Sequence, residues 1–282
     1  MLYRVDIMVV QESKSTKRKF QSWKSTIGRV AFRNCDPLFL TIDQEWNVIS
    51  APPSWLTGHL LRRDCILAPI PAADYAKNSD ELALVPDLGI CSKGEVGSVI
   101  LFGKKPLNEM KSIALPSDSS SSVALMKYII SVYKLSPSLV VMGPDINQML
   151  ESCDGALIIG DRALNSAKNQ PDLVVMDLGL EWQKITGKPM VFGVFAARKD
   201  TPVQDVKIAH KELLSQLVKF ETDYQHRSHV IELSAMRSNL SLDRMERYFG
   251  EVFNRLDDTH VDGLQKFLQE VCNLNDGAEF LW

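Results

Sequence analysis

Apolar and polar positions follow two different rhythms along this chain. Short apolar runs closed by turn residues, at 28–32, 65–68, 96–102, 112–115, 156–159 and 191–197, read as buried strands. Between and after them lie segments whose apolar positions recur every three or four residues, at 53–61, 123–134, 147–153, 205–220, 241–256 and 261–272. Short strands alternating with such segments predict an α/β fold of parallel strands joined by helices. Asn34-Cys35-Asp36-Pro37 closes the first strand, Pro69 stops the second, and Gly160-Asp161 is the terminating turn of the fifth.

The irregular stretch 89–94 reads as an outward passage between two lobes, and Gly187-Lys188-Pro189 ahead of the strand at 191–197 reads as the return. The predicted division is one lobe from 1–97 and 195–282 and a second from 98–194. Residues 1–25 carry a charged stretch with little apolar periodicity, and they are expected to form a poorly ordered extension. No internal repeat is visible.

Composition narrows the function classes. With 282 residues, 45% hydrophobic and 24% charged, the chain is an ordinary globular protein large enough for two cores. A formal charge of -3 supplies no general attraction for nucleic acid or anionic lipid. The apolar start precedes the basic run Lys14, Lys17, Arg18, Lys19, the reverse of a secretory signal, so a cytoplasmic location is expected. The apolar run at 190–197 is too short to cross a bilayer, which takes about 20 residues. Five cysteines without a C-x-x-C pair fit reduced thiols. Cys65 and Cys153 read as small core hydrophobes, and Cys35 falls in a loop assigned to the site.

Nucleotide-binding, zinc-protease and serine-hydrolase motifs are absent. His226 and His229 lack a third ligand, and neither a metal nor a cofactor is expected. What remains is positional, because ligands of α/β sheets bind outside the carboxyl ends of strands. Those ends carry Asn34, Pro69-Ile70-Pro71, Ser119 to Ser122, and Gly160-Asp161. The serine run reads as a flexible loop on composition alone. If two lobes face each other, its free N–H groups and hydroxyls become a cradle for a carboxylate. Spacing by itself stops at a cleft for a small anion.

The residues themselves carry more. The segment Gly28-Arg29-Val30-Ala31-Phe32-Arg33-Asn34-Cys35-Asp36-Pro37-Leu38 resembles the opening strand and loop of the chorismate dehydratases of the futalosine route to menaquinone. Tyr75-Ala76-Lys77-Asn78, Pro86-Asp87-Leu88, Gly94-Glu95-Val96-Gly97-Ser98-Val99, Ser119-Ser120-Ser121-Ser122-Val123 and Ile158-Ile159-Gly160-Asp161-Arg162-Ala163-Leu164 continue the resemblance in order. Asp177-Leu178-Gly179, Trp182 and Pro189-Met190-Val191-Phe192 extend it to about residue 198.

The resemblance implies a two-lobed type II periplasmic-binding-protein-like fold with two hinge-crossing strands. It also implies an enzyme that removes water from chorismate to give 3-(1-carboxyvinyloxy)benzoate. Asn34 and Ser98 match the family's functional asparagine and serine. Arg33, Cys35, Pro69, Ser119, Ser120, Ser121, Ser122 and Asp161 are the implied substrate contacts. The family often has arginine where this chain has Ser120, which leaves Arg33 to supply the lost cation. No histidine or carboxylate falls beside the reacting carbon in the matched loops, so the substrate's own enolpyruvyl carboxylate is the expected base. Three other readings share the scaffold: a non-catalytic solute-binding protein, the related naphthoate-forming enzyme, and the sensing lobes of a transcription regulator.

Overall fold

The computed structural model describes residues 22–282, so the extension expected at 1–25 falls outside the described residues as far as residue 21. The chain opens with β1 (Thr26–Val30), which pairs in parallel with β2 (Asn47–Ala51) after the short helix α1 (Asp36–Phe39). The helix α2 (Pro53–Leu61) follows, begun by a proline at a position where the missing N–H costs no hydrogen bond. Then come β3 (Ala68–Pro71), α3 (Ala72–Lys77) and β4 (Leu82–Ser92).

The second lobe is built on β5 (Val99–Gly103), β6 (Ser112–Pro116), α4 (Ser120–Val132), β7 (Ser138–Met142), α5 (Ile146–Ser152), β8 (Gly155–Ile159), α6 (Gly160–Asn169), β9 (Val174–Asp177) and α7 (Leu178–Thr186). Its sheet has the order β7-β6-β8-β5-β9. Successive residues of β5 point to opposite faces: Ile100 and Phe102 join one buried cluster, Val99 and Leu101 the other.

The chain then returns through β10 (Met190–Arg198) and ends in α8 (Val203–Thr222), α9 (Tyr224–Ser238), α10 (Leu242–Glu251), β11 (Phe253–Leu256) and α11 (Asp258–Glu270). Strands β11-β4-β10-β3 form the first lobe's antiparallel sheet. β10 pairs with β4 from Met190, opposite Ser92, so β10 belongs to this sheet from its first residue. The outward crossing is clamped by Asp177, whose carboxylate accepts the N–H of Gly97 at 2.8 Å and that of Leu180 at 3.0 Å. One aspartate thus ties the crossing to the start of α7.

Several elements differ from the sequence expectation, each for a physical reason. The stretch 89–94, expected to be irregular, continues β4 as far as Ser92. Within β4 Asp87 adopts φ +66°, and the strand bends there without ending. Pro69 does not stop its strand, because β3 lies at the sheet edge, where a residue without an N–H leaves no ladder bond unmade. The helix expected over 241–256 ends at Glu251, and β11 adds to the free edge of β4. Gly160 and Asp161, expected to form a turn, open α6. The strands β2 and β7 have no counterpart in the apolar pattern; β7 is exposed along nearly its whole length.

Trp182 ties α7 to the return crossing. It is fully buried, donates its indole N–H to the Pro189 carbonyl at 3.0 Å, and lies 5.8 Å from the Tyr128 ring and 5.9 Å from the Phe267 ring. Trp182→Ala removes a large aromatic and leaves a buried carbonyl unpaired, a loss of about 3–5 kcal/mol. At about 2–4 °C per kcal/mol for a chain of this class, thermal unfolding is expected roughly 10 °C lower. A shift of a degree or two would remove Trp182 from this role.

Candidate active site

Where the two lobes meet, the loop after β1, the strand β3, the start of β5, the start of α4 and the end of β8 surround a narrow cavity. Its walls are mostly apolar: Phe32, Ile70 and Phe192 face Val96, Val99 and Ile159. Four polar side chains reach it, Asn34, Ser98, Ser119 and Ser122, and none of the lining residues carries a charge. A ligand held here is met by dipoles and hydroxyls.

Asn34 sits in the single turn Arg33–Cys35 that follows β1, and it is buried. Its amide oxygen is buried with no partner among the described residues, and the residue lines the cavity. Ser98 follows the outward crossing at the start of β5 and is buried, with its hydroxyl 3.1 Å from that of Tyr248. Ser119 is the N-cap residue of α4 but does not cap it: its hydroxyl donates to Ser122 at 2.9 Å. The first N–H groups of a thirteen-residue helix therefore stay open toward the cavity, and the helix dipole adds to them.

The structure separates the other expected contacts from this lining. Ser120 turns its unpartnered hydroxyl toward a second groove, on the flank of α4, where Lys77, Lys127, Tyr128 and Glu270 also lie. Ser121 is buried and accepts the N–H of Ala73 at 3.1 Å, which ties α4 to α3 across the lobes. Cys35 is enclosed in the core, and burial pushes its thiol up to about 12. Pro69 stands behind Ile70 and Pro71, which do line the cavity.

Arg33 and Asp161 form part of the wall's support. Asp161 accepts the backbone N–H of Arg33 at 2.9 Å, and its carboxylate lies 3.3 Å from the Arg33 Nε. The same guanidinium lies 3.6 Å from Asp36, which also pairs with Arg29 and accepts the Ser234 hydroxyl at 2.6 Å. With its charge spent on two aspartates, Arg33 does not stand at the cavity in place of the arginine that Ser120 replaces. Beside this network, Gly160 adopts φ +63°, and a Cβ there would lie 2.6 Å from the Phe32 ring. Glycine thus lets the first lobe's phenyl ring rest on the second lobe's backbone, with the Arg162 guanidinium 5.4 Å above that ring.

Tyr248 escaped the sequence reading. It lies on the apolar face of α10, where its spacing marks only a core residue; its hydroxyl acquires a meaning once the fold brings Ser98 to it. Among the described residues no cluster of metal-ligating side chains occurs, and no helix is long and apolar enough to cross a membrane.

Comparison with known proteins fits this geometry. A family profile described as menaquinone biosynthesis matches residues 25–272. The chain belongs to that family. Within it, a chorismate dehydratase of Thermus thermophilus is 31% identical over 213 residues, which cover 68% of this chain and 78% of that protein. Solved structures share the architecture of this menaquinone biosynthesis protein. An Archaeoglobus fulgidus protein superposes with a TM-score of 0.70 at 16% identity, over 89% of this chain and 96% of its own. An alkanesulfonate-binding protein of Xanthomonas axonopodis, solved with MOPS bound, gives 0.62 at 16% identity over 88% and 93%. A Candida albicans protein described as having the generic periplasmic binding protein fold gives 0.63 at 12% identity over 89% and 90%. The fold implied by the sequence resemblance is the fold found.

Asp161 gives the site a pH signature. Burial is the largest influence on its carboxyl and holds its pKa above the usual 3.8, while the Arg33 N–H and guanidinium pull the other way. A carboxyl whose folded pKa is raised binds its proton more tightly in the folded state. Its contribution is therefore complete below the unfolded value and is lost as pH rises through the folded one. Asp161→Asn removes that titration. The stability of the wild type relative to this variant, from urea unfolding at stepped pH, is expected to decline as pH rises from 3.8 and then level off. A constant difference across the series would contradict the assignment.

Proposed function

We propose that this protein is a chorismate dehydratase, a hydro-lyase of the futalosine route to menaquinone, with the inter-lobe cavity as its active site. The observation that carries the reading is the cavity itself: an uncapped helix start, an asparagine and a buried serine meet between apolar walls, in a chain of the menaquinone biosynthesis family. We take the lobes that meet there as 1–97 with 195–282 and 98–194. The five cysteines are free, which supports a cytoplasmic enzyme.

The chemistry can be written from these parts. The open N–H groups of α4, with the Ser122 hydroxyl that Ser119 orients, hold the ring carboxylate. Asn34 holds the departing hydroxyl through its side-chain amide and sets the direction of the C–O bond. Ser98 donates to the enolpyruvyl carboxylate. That carboxylate takes the proton from the ring carbon bearing the ether, and the C–H electron pair becomes part of the aromatic ring. The neighbouring C–O bond breaks, and the departing hydroxide takes up the proton that the carboxylate accepted, so that water leaves and the carboxylate is restored. The step is redox neutral, so it needs no external electron carrier, and aromatisation supplies the driving force.

No histidine, lysine, aspartate or glutamate lines the cavity to act as a base. A well-oriented group within the substrate can reach an effective molarity on the order of 10⁵ M, enough to stand in for one. The protein's part is then to orient the substrate. Tyrosine, arginine and aspartate behind the walls act by holding those donors and acceptors in place.

Purified protein mixed with chorismate is expected to produce the ultraviolet absorption of an aromatic ether, whereas a binding protein of the same fold would return chorismate unchanged. Asn34→Ala and Ser98→Ala should each lower kcat/KM by about 10²-fold, with little change in thermal unfolding. Wild-type rates in both variants would remove these residues from the site. A chorismate analogue whose enolpyruvyl carboxylate is replaced by an amide is expected to bind without turning over. Turnover of that analogue at the chorismate rate would show that the base lies in the protein.

A further inference from the structure

We propose that Tyr248 is a positioning residue of this enzyme: its buried hydroxyl holds the hydroxyl of Ser98 so that the serine proton is offered to the substrate carboxylate. The inference rests on the dehydratase reading above and adds to it a residue from the far end of the chain.

The number of protons at the contact fixes its direction. Two hydroxyls lie 3.1 Å apart, so one proton occupies the contact and the other is left over. Tyr248 is fully buried and does not line the cavity, and among the described residues its hydroxyl bonds to no side chain but Ser98. Were Ser98 the donor, the phenol proton would be stranded in the core with no acceptor, the costly arrangement for a buried polar group. With Tyr248 as donor, the proton left over is that of Ser98, a residue that does line the cavity. The arrangement that leaves nothing stranded is therefore the one that points the serine's donor at substrate.

The surroundings fix this arrangement. Burial pushes the Tyr248 phenol well above its usual range, so it keeps its proton throughout the neutral range and acts as a constant donor, not a source of protons. The helix that carries it presses directly on the crossing. Gly97, next to Ser98, has φ +64°, and a Cβ there would lie 2.1 Å from the Glu251 carboxylate and 2.8 Å from the Arg244 guanidinium. Arg244 pairs with Glu251 at 3.0 Å and stands 5.8 Å from the Tyr248 ring. Just beyond α10, Val252 lines the cavity. A terminal helix of the first lobe thus sets the rotamer of a hydroxyl at the root of the second.

The test is Tyr248→Phe, which keeps the ring and removes the donor. With Ser98 free to turn, the carboxylate that takes the ring proton loses its alignment, so kcat should fall about tenfold or more while KM changes less than about threefold. In a Ser98→Ala background the same substitution should change nothing further, because the hydroxyl it positions is gone. Replacing Tyr248 by 3-fluorotyrosine keeps ring and donor but lowers the phenol's ordinary pKa. It should leave kcat within about twofold and the pH profile unshifted, and it decides the matter should the phenylalanine variant fold poorly.

Wild-type kcat in Tyr248→Phe, equal losses with and without Ser98, or a pH profile displaced by fluorination would each overturn the inference while chorismate turnover by the wild type stands. A wild-type protein that leaves chorismate unaltered would overturn the dehydratase reading first and this inference with it.

Discussion

A carboxylate brought into a cavity whose walls carry no charged side chain must find hydrogen-bond donors there or stay in water. That constraint governs the rest of the structure. The donors are directional: backbone N–H groups at the start of α4, the hydroxyls of Ser98 and Ser122, and the amide of Asn34. A lysine or arginine on the wall would tolerate displacement, because a charge attracts over a distance. A dipole has to point, so the two lobes that contribute these groups must meet at a defined separation.

The charged residues near the cavity serve that end. Arg29, Arg33 and Arg162 are matched by Asp36, Asp161 and Asp118, three cations against three anions, and the network holds the loop after β1 against the start of α6. Ser121 ties α4 to α3, and Asp177 fixes the outward crossing to α7. The Phe32 ring on Gly160 is the apolar counterpart, and it requires a residue without a Cβ. Charges that in another site would grip the ligand are used here to hold the frame.

How much of this was legible in the sequence follows from the kind of signal each feature leaves. Core strands such as β8 and helices such as α2 show as apolar runs and periodic faces because they are buried against one partner or between two layers. The exposed β7 leaves no such trace, nor does the bend at Asp87, and the change from α10 to β11 comes too soon for periodicity to register. In the site, Asn34, Ser119 and Ser122 were readable because strand ends and helix starts are where ligands bind, whereas Ser98, just ahead of β5, was readable through the family resemblance alone. The serine run divided in a way composition cannot show. A helix turns 100° per residue, so Ser119 and Ser122 face the cavity, while Ser120 looks along the flank and Ser121 toward α3. Tyr248 was invisible because a buried tyrosine on an apolar face reads as packing until the fold shows where its hydroxyl ends.

This division of labour also explains why a scaffold of this shape can host an elimination with so few reactive groups. Solved proteins with the same architecture include one described as alkanesulfonate-binding. If the substrate brings its own base, enclosing it in one orientation is most of the catalysis, and the remaining demand is rotational: one hydroxyl must point one way. A proton acceptor evolved into the wall would need burial, a tuned pKa and a charge balanced elsewhere. A phenol placed behind a serine needs only a helix that already packs there. On that view the change from binding to catalysis lies in hydrogen-bond direction more than in new chemistry, which is why the lining looks so plain.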